Sequence, residues 1–209
     1  MISLFIDTSF SDVSIAIIND NKLVASRSDN IPMEHSKYVV RYVKEVLDDA
    51  NIDANQVDNI MVCVGPGSFT GVRIGVTIAK TYGYLINKYI SPVSSLKELA
   101  ISSDSDNKYI LSLISARHNN YYVGLYNNYY DDIESEAFMS KEDVIDLIEK
   151  YHPYIVSNDY DVISNYKVNK VKIDILKVVK YYMDKEKINY HYLVPNYLKL
   201  PQAMENKND

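Results

Sequence analysis

Apolar positions along this chain form short alternating or β-branched runs and longer runs at helical spacing, and the two kinds follow one another in a regular way. Ser3-Leu4-Phe5-Ile6, Val13 to Ile18 and Lys22 to Ser26 predict three strands, the last two joined by the turn Asn19-Asp20-Asn21, hence an antiparallel meander. His35-Ser36 opens a helix marked by Val39, Val40, Val43, Val46, Leu47 and Ala50, with Tyr38 and Tyr42 one turn apart. Ile60 to Val64 is short, apolar and β-branched, a buried strand. From Gly71 to about Asn87 the spacing of Val72, Ile74, Ile78, Ala79, Tyr82, Leu85 and Ile86 predicts a helix. A strand at Tyr89 to Val93 follows, then a short helix over Ser94 to Ala100 with Ser95 and Glu98 at capping-box spacing. Past the polar stretch Ser102 to Asn107 the pattern resumes. It predicts a hairpin of Tyr109 to Ser115 and Tyr121 to Tyr126 around Arg117-His118-Asn119-Asn120, a helix from Ser140, a strand at Pro153 to Ser157 and a helix at Ile173 to Met183. Strands, helix, strand and helix thus occur twice, which gives an α/β protein with a boundary between 1–104 and 105–209.

Glycine sharpens this picture. The chain has six, and five lie between Gly65 and Gly83. The stretch Gly65-Pro66-Gly67-Ser68-Phe69-Thr70-Gly71-Val72-Arg73 is a strand–turn–helix junction whose free N–H groups favour an anion or a closely approaching backbone. Within the helix Gly71, Gly75, Ala79 and Gly83 share one face. Each interior glycine costs about 0.5–1 kcal/mol relative to alanine, so close packing has to compensate, either inside the fold or at a subunit interface. Asp7-Thr8-Ser9, at the end of the first strand, is a carboxylate with hydroxyls on a turn, the kind of loop that holds a metal–phosphate group or simply closes a hairpin.

Composition and charge remove several alternatives. A single cysteine, Cys63, excludes an internal disulfide and suits a reducing compartment. The residues from Met1 to Asp7 lack the basic start and long apolar run of a signal peptide, and Arg73 and Lys80 interrupt the glycine helix too soon for a membrane span, so a soluble cytoplasmic protein is expected. The net charge of −6 is uneven: residues 165–199 carry eight lysines against Asp174, Asp184 and Glu186, while the rest is acidic. Free nucleic acid is repelled by the first part and only modestly attracted by the second. The four histidines have no helical metal-pair spacing, so no metal site is expected. Ser68 lies in G-x-S-x-x-G, which is not a hydrolase elbow, and Thr70-Gly71-Val72-Arg73 replaces the Gly-Lys-Ser/Thr of a P-loop. No catalytic constellation is visible.

Ile6-Asp7-Thr8-Ser9, His35-Ser36, the run Val64 to Gly75 and Val93-Ser94-Ser95-Leu96 resemble, in order and spacing, the bacterial TsaB (YeaZ) family over about the first 100 residues. Ala116-Arg117, Tyr121 to Tyr126 and Pro195 to Lys199 resemble its later landmarks, although Ser115 and Asn120 replace acidic residues common there. The resemblance implies an actin-like ATPase (sugar kinase/Hsp70) fold of two related subdomains. It implies a non-catalytic scaffold in forming N6-threonylcarbamoyladenosine at position 37 of tRNAs reading ANN codons. TsaD, the catalytic subunit, and TsaE would be its partners, with a homodimer when TsaD is absent, tRNA met only through the complex and no membrane contact. No intrinsic cofactor is implied; ATP or ADP and a metal belong to the partner subunits. Asp7, Thr8, Ser9, Gly65, Gly67 and Ser68 become a vestigial phosphate loop, and Tyr38, Tyr42, Gly71, Val72, Gly75, Ile78, Ala79, Tyr82 and Gly83 a pairing surface free in the isolated chain. The competing reading is an enzyme of the same superfamily, an ATP-dependent phosphotransferase or degenerate metallopeptidase. A kinase would need a second glycine loop in the C-terminal half, where Gly124 stands alone. An RNA-binding module, hinted at by Tyr181-Tyr182 beside Lys177 and Lys180, is a third.

Overall fold

A computed structural model describes residues 1–30, 35–159 and 162–199. The elements in chain order are β1 (Ile2–Asp7), β2 (Asp12–Asn19), β3 (Lys22–Asn30), α1 (His35–Ala50), β4 (Asn59–Gly65), α2 (Phe69–Leu85), β5 (Ile90–Ser94) and α3 (Ser95–Ser102). They continue with β6 (Tyr109–Ser115), β7 (Asn120–Asn127), β8 (Asp132–Ser140), α4 (Lys141–Tyr151), β9 (Tyr154–Ser157), β10 (Asn169–Lys170) and α5 (Ile175–Tyr182).

The strands form two five-stranded sheets, ordered β3-β2-β1-β4-β5 and β10-β9-β6-β7-β8. In the first, β1 to β3 are an antiparallel meander and β4 and β5 run parallel beyond β1. In the second, β6 to β8 are the meander, with β9 parallel to β6 and β10 parallel to β9. Taken from the end of each meander, the two orders are the same. This is the duplicated α/β topology of the actin-like ATPase fold.

Burial explains the sequence pattern. Every residue of β4 is buried, as a central strand covered on both faces must be, and its run is accordingly uninterrupted. On one face of the first sheet, Leu4, Ile6, Ile15, Ile17 and Val62 pack beneath Val39, Val43 and Val46 of α1 and Val72, Val76 and Ala79 of α2. On the other, Phe5, Ala16, Ile18 and Met61 meet Val178, Val179 and Tyr182 of α5. Helix α3 turns Leu96, Leu99 and Ala100 toward Ile110, Ile114, Tyr126 and Val156 of the second sheet, so α3 and α5 form the layer between the sheets. The far side of the second sheet is closed by Val144, Leu147 and Ile148 of α4.

The cap of α3 sits one residue earlier than its sequence spacing predicts. Ser94 is the N-cap and accepts from the Lys97 N–H, while Ser95 and Glu98, the expected pair, are both buried. Glu98 faces the acid of β1 rather than the helix end, so no capping box forms there. The chain after α5 returns along the first sheet. Ile188 bridges to Ile90, Leu193 enters the α1–α2 core, and the Asn196 N–H donates to the Val64 carbonyl at 2.8 Å. No helix among the described residues is long and apolar enough to cross a membrane.

Candidate functional site

The glycine turn and the end of β1 are built as one piece. Gly65 sits at φ +94°, a left-handed conformation that glycine adopts without strain. A Cβ on Gly67 would strike the Ser9 carbonyl oxygen, the same oxygen that accepts from the Ser68 N–H at 2.8 Å. Ser68 also caps α2, its Oγ accepting from the Gly71 N–H at 3.2 Å. Thr8 Oγ1 donates to the Gly71 carbonyl at 2.7 Å, and a Cβ on Gly75 would come within 2.5 Å of that hydroxyl. The Ser95 hydroxyl donates to the Pro66 carbonyl. The glycines therefore admit a neighbouring backbone and side chain of the same chain.

That arrangement places each phosphate-loop candidate. Asp7, Thr8 and Ser9 are buried, and Gly65 and Gly67 are pressed against the turn. Only Ser68 is exposed, and its hydroxyl is engaged as a cap. Asp7 accepts from the Ser9 N–H at 2.8 Å and the Ser9 hydroxyl at 2.7 Å. Beneath Ser9, Asp7 meets Cys63 and Glu98, with one donor atom from each within 4.8 Å of the others. The Cys63 thiol points at Ser9 Oγ (3.4 Å) and Glu98 Oε1 (3.6 Å). Burial raises both carboxyls, Glu98 the more because the Asp7 charge adds to it, and burial with both acids pushes the thiol up. The two Ser9 donors work against that rise at Asp7. This is the single group of possible metal donors among the described residues, and nothing in the local pattern announces it: Glu98 reads as a helix cap and Cys63 as core.

The pairing-surface expectation needs correction. Gly71, Val72, Gly75, Ala79 and Gly83 are all buried within the chain. Gly75 lies against Thr8 and Val62, and Gly83 against Ile90, Lys88 and Tyr190, so the small-residue stripe is not free in the isolated chain. Tyr42 is buried as well, and its hydroxyl donates to Asp29 at 2.7 Å, a bond that pushes the phenol up to about 12. Tyr38, Ile78 and Tyr82 are half-buried and border the core. What α1 leaves outward is Val40 among the polar residues Ser36, Lys37, Arg41, Lys44, Asp48 and Asp49; α2 leaves Phe69, Thr70, Arg73, Thr77, Thr81, Tyr84 and Leu85. Spacing identifies a close-packed face; it does not say on which side of the molecular surface the face lies.

A second region is not legible in the sequence. Between the glycine turn and the tip of the β6–β7 hairpin lies a cleft of about 640 Å³, walled by Ser68, Phe69, Arg117, His118, Tyr122 and the terminal residues Asn196, Tyr197 and Lys199. Tyr197 packs on Phe69, and Arg73 lies 3.8 Å above the Phe69 ring and donates to the Tyr197 hydroxyl at 2.6 Å. At the base of the two halves, Glu136 of β8 accepts from Ser94 Oγ at 2.5 Å, from the Tyr126 hydroxyl at 2.7 Å and from Asn196 Nδ2 at 3.4 Å. Burial raises this carboxyl, and the Ser94 and Tyr126 donors work against that rise. Gly124, the isolated glycine of the second half, makes no loop: a Cβ there would strike the Tyr126 ring.

Against known proteins, a family model described as TsaD, tRNA N6-adenosine threonylcarbamoyltransferase, matches residues 29–174. The tRNA threonylcarbamoyladenosine biosynthesis protein TsaB of Bacillus subtilis (strain 168) is 28% identical across 97% of this chain and 96% of its own length. The protein of the same name from Escherichia coli (strain K12) is 29% identical across 70% of this chain and 66% of itself. Among solved structures, YeaZ from Pseudomonas aeruginosa superposes with a TM-score of 0.77 at 21% identity, covering 94% of this chain and 99% of that one.

Proposed function

We propose, from the premise that this chain belongs to the TsaB/YeaZ branch of the TsaD family, that it is a non-catalytic scaffold subunit for forming N6-threonylcarbamoyladenosine in tRNA. The observation that carries the non-catalytic reading is the closure of the β1 turn. A phosphate-transferring member of this fold needs its carboxylate and hydroxyls facing a ligand. Here Asp7, Thr8 and Ser9 bond to Gly71 and one another beneath the surface, with Glu98 and Cys63 beside Asp7. In this reading the catalytic subunit TsaD is the direct partner, TsaE joins the pair, and the chain pairs with itself when TsaD is absent. ATP or ADP and the metal reside in those partners, and tRNA is engaged by the whole complex. The outward residues of α1 and α2 are the docking face, and the buried glycines support it from below by letting α2 lie close on β1.

Light scattering coupled to size-exclusion chromatography tests this on the purified chain, alone and mixed with TsaD from the same organism. The expected result is a homodimer that exchanges into a one-to-one heterodimer. A monomer indifferent to TsaD would overturn the reading, as would threonylcarbamoyl transfer by this chain alone.

A further inference from the structure

The three groups gathered beneath Ser9 come from three separate elements. Asp7 closes β1, Cys63 lies in β4 and Glu98 in the first turn of α3, and each is 2% exposed or less. None of them lines the cleft. No lysine, arginine or histidine among the described residues pairs with either carboxyl. Ser9 satisfies Asp7 Oδ1, but Glu98 Oε2 is buried with no hydrogen-bond partner among the described residues. A carboxylate oxygen in that state is unfavourable, and a second carboxylate beside it adds to the cost, so a proton or a cation has to stand between the two acids. A proton accounts for the carboxyls alone. The placement of the thiol favours a cation. Its sulfur lies 3.6 Å from Glu98 Oε1 and 3.4 Å from Ser9 Oγ. Donors on a tetrahedral zinc, bonded at about 2.3 Å through sulfur and about 2.0 Å through oxygen, stand about 3.5 Å apart. The sulfur is therefore already at ligand spacing from two oxygens, and one donor atom each from Asp7, Cys63 and Glu98 falls within 4.8 Å of the others.

We propose that Asp7, Cys63 and Glu98 hold a divalent transition ion of the zinc class, with the Ser9 hydroxyl or a water as fourth donor, and that this ion ties β1, β4 and α3 together. One thiolate with two carboxylates suits zinc better than calcium or magnesium, which take oxygen donors alone. Histidine spacing gives no sign of such a site, because none of its donors is a histidine and each sits on a different element. Binding breaks the S–H bond of Cys63 and the O–H bond of whichever carboxyl is protonated, forms metal–sulfur and metal–oxygen bonds, and releases the protons to solvent. No oxidant or reductant takes part. The ion is structural and additional to the metal that the scaffold reading places in the partner subunits, so the proposal stands whether or not that reading holds.

Cobalt titration of the chelator-treated full chain is the test, with the metal added both to the folded protein and before refolding from urea, because the site is closed to solvent. A cobalt–thiolate bond absorbs by charge transfer in the near ultraviolet, and Cys63 is the single thiol of the chain, so the band reports this site and no surface histidine. The expected result is one cobalt per chain with the thiolate band, displaced by zinc. Glu98→Gln should weaken cobalt binding at least about tenfold, since even groups that only support a metal ligand are worth about 10–100-fold. Cys63→Ser should remove the band outright. His191→Gln, at an exposed histidine, should leave cobalt affinity unchanged. In thermal melts zinc should raise the midpoint of the wild type and not that of Glu98→Gln. That substitution removes a buried acid from the stripped chain and a ligand from the loaded one, so its effect on the midpoint should change sign between them. No thiolate band at millimolar cobalt in either preparation would overturn the proposal, as would a cobalt affinity in Glu98→Gln equal to that of the wild type.

Discussion

The two sheets share one strand order, yet the segments joining their fourth and fifth strands have little in common. In the first half that connection is α2, a 17-residue helix laid so close on β1 and β4 that glycine is required where they touch. In the second half residues 158–168 form no helix among the described residues, and Ile163 alone among the hydrophobics there is fully buried. The same topology therefore has two different ends. One is sealed, because α2 and the glycine turn close over the β1 turn and occupy its polar groups. The other is open, and its hairpin tip projects Arg117 and His118 into solvent at the cleft. Strand order sets where a site of this fold can form; the packing of the connecting segment decides whether it stays available.

That contrast can be broken most directly where α2 meets Thr8. Gly75→Leu should destabilise the chain by about 3 kcal/mol, because the Thr8 side chain and β4 leave no room for the added atoms; a urea melt close to that of the wild type would show the α2–β1 packing to be slack. Ile163→Ala, its counterpart in the second half, leaves a cavity rather than a clash and should cost about 2 kcal/mol by the same assay.

Glu136→Ala removes the acceptor shared by the two halves and leaves the Ser94 and Tyr126 hydroxyls unsatisfied, a loss of about 1–2 kcal/mol. Measured by hydrogen exchange, it should raise opening at β5 and β7 together; opening confined to one of them would show that the halves are held elsewhere.

Glu98→Gln should have the opposite sign. The folded pKa of Glu98 lies well above its ordinary 4.5, so the stability it allows is fully present below that value and is lost as pH rises toward the folded value. Glutamine keeps an acceptor for the Cys63 thiol without the ionisation and should gain on the order of 1 kcal/mol at neutral pH, since a tenfold change in proton affinity corresponds to about 1.4 kcal/mol. A variant no more stable than the wild type between mild acid and neutrality would remove the buried acid pair from the account. The smallest change in stability belongs to Thr77→Arg on the outward face of α2, within about 0.5 kcal/mol. It should nonetheless abolish pairing in light scattering if that face docks a partner.

Much of this architecture is legible in the amino-acid sequence, and what is not has physical reasons. The meander, the buried β4 and the glycine turn carry strong local signals and lie within a residue or two of their expected places, except that β3 runs on to Asn30, four residues past its expected end. The second sheet is only half legible. β8 has weak alternation, because it is an edge strand whose residues are mostly exposed or half-buried. The site is harder. Four-residue spacing marks the small stripe on α2, but Gly75 against Thr8 and Gly83 against Tyr190 are contacts over long sequence separations that no periodicity encodes. Glu98 has cap spacing and is buried; Glu136 sits in a strand without a clear pattern and binds partners from three distant segments. Long-range polar contacts of this kind become visible only when the sheets are assembled.

The Glu136 junction also bears on how the molecule moves. Enzymes that close on a ligand by hinging need a seam between their lobes that parts at little cost. Here one carboxylate takes bonds from β5, from β7 and from the terminal segment, whose Asn196 is simultaneously tied to β4. Opening the jaws would strand that carboxylate and its donors together. The chain should therefore behave as a fixed wedge, with its cleft cut to one width, and not as a clamshell.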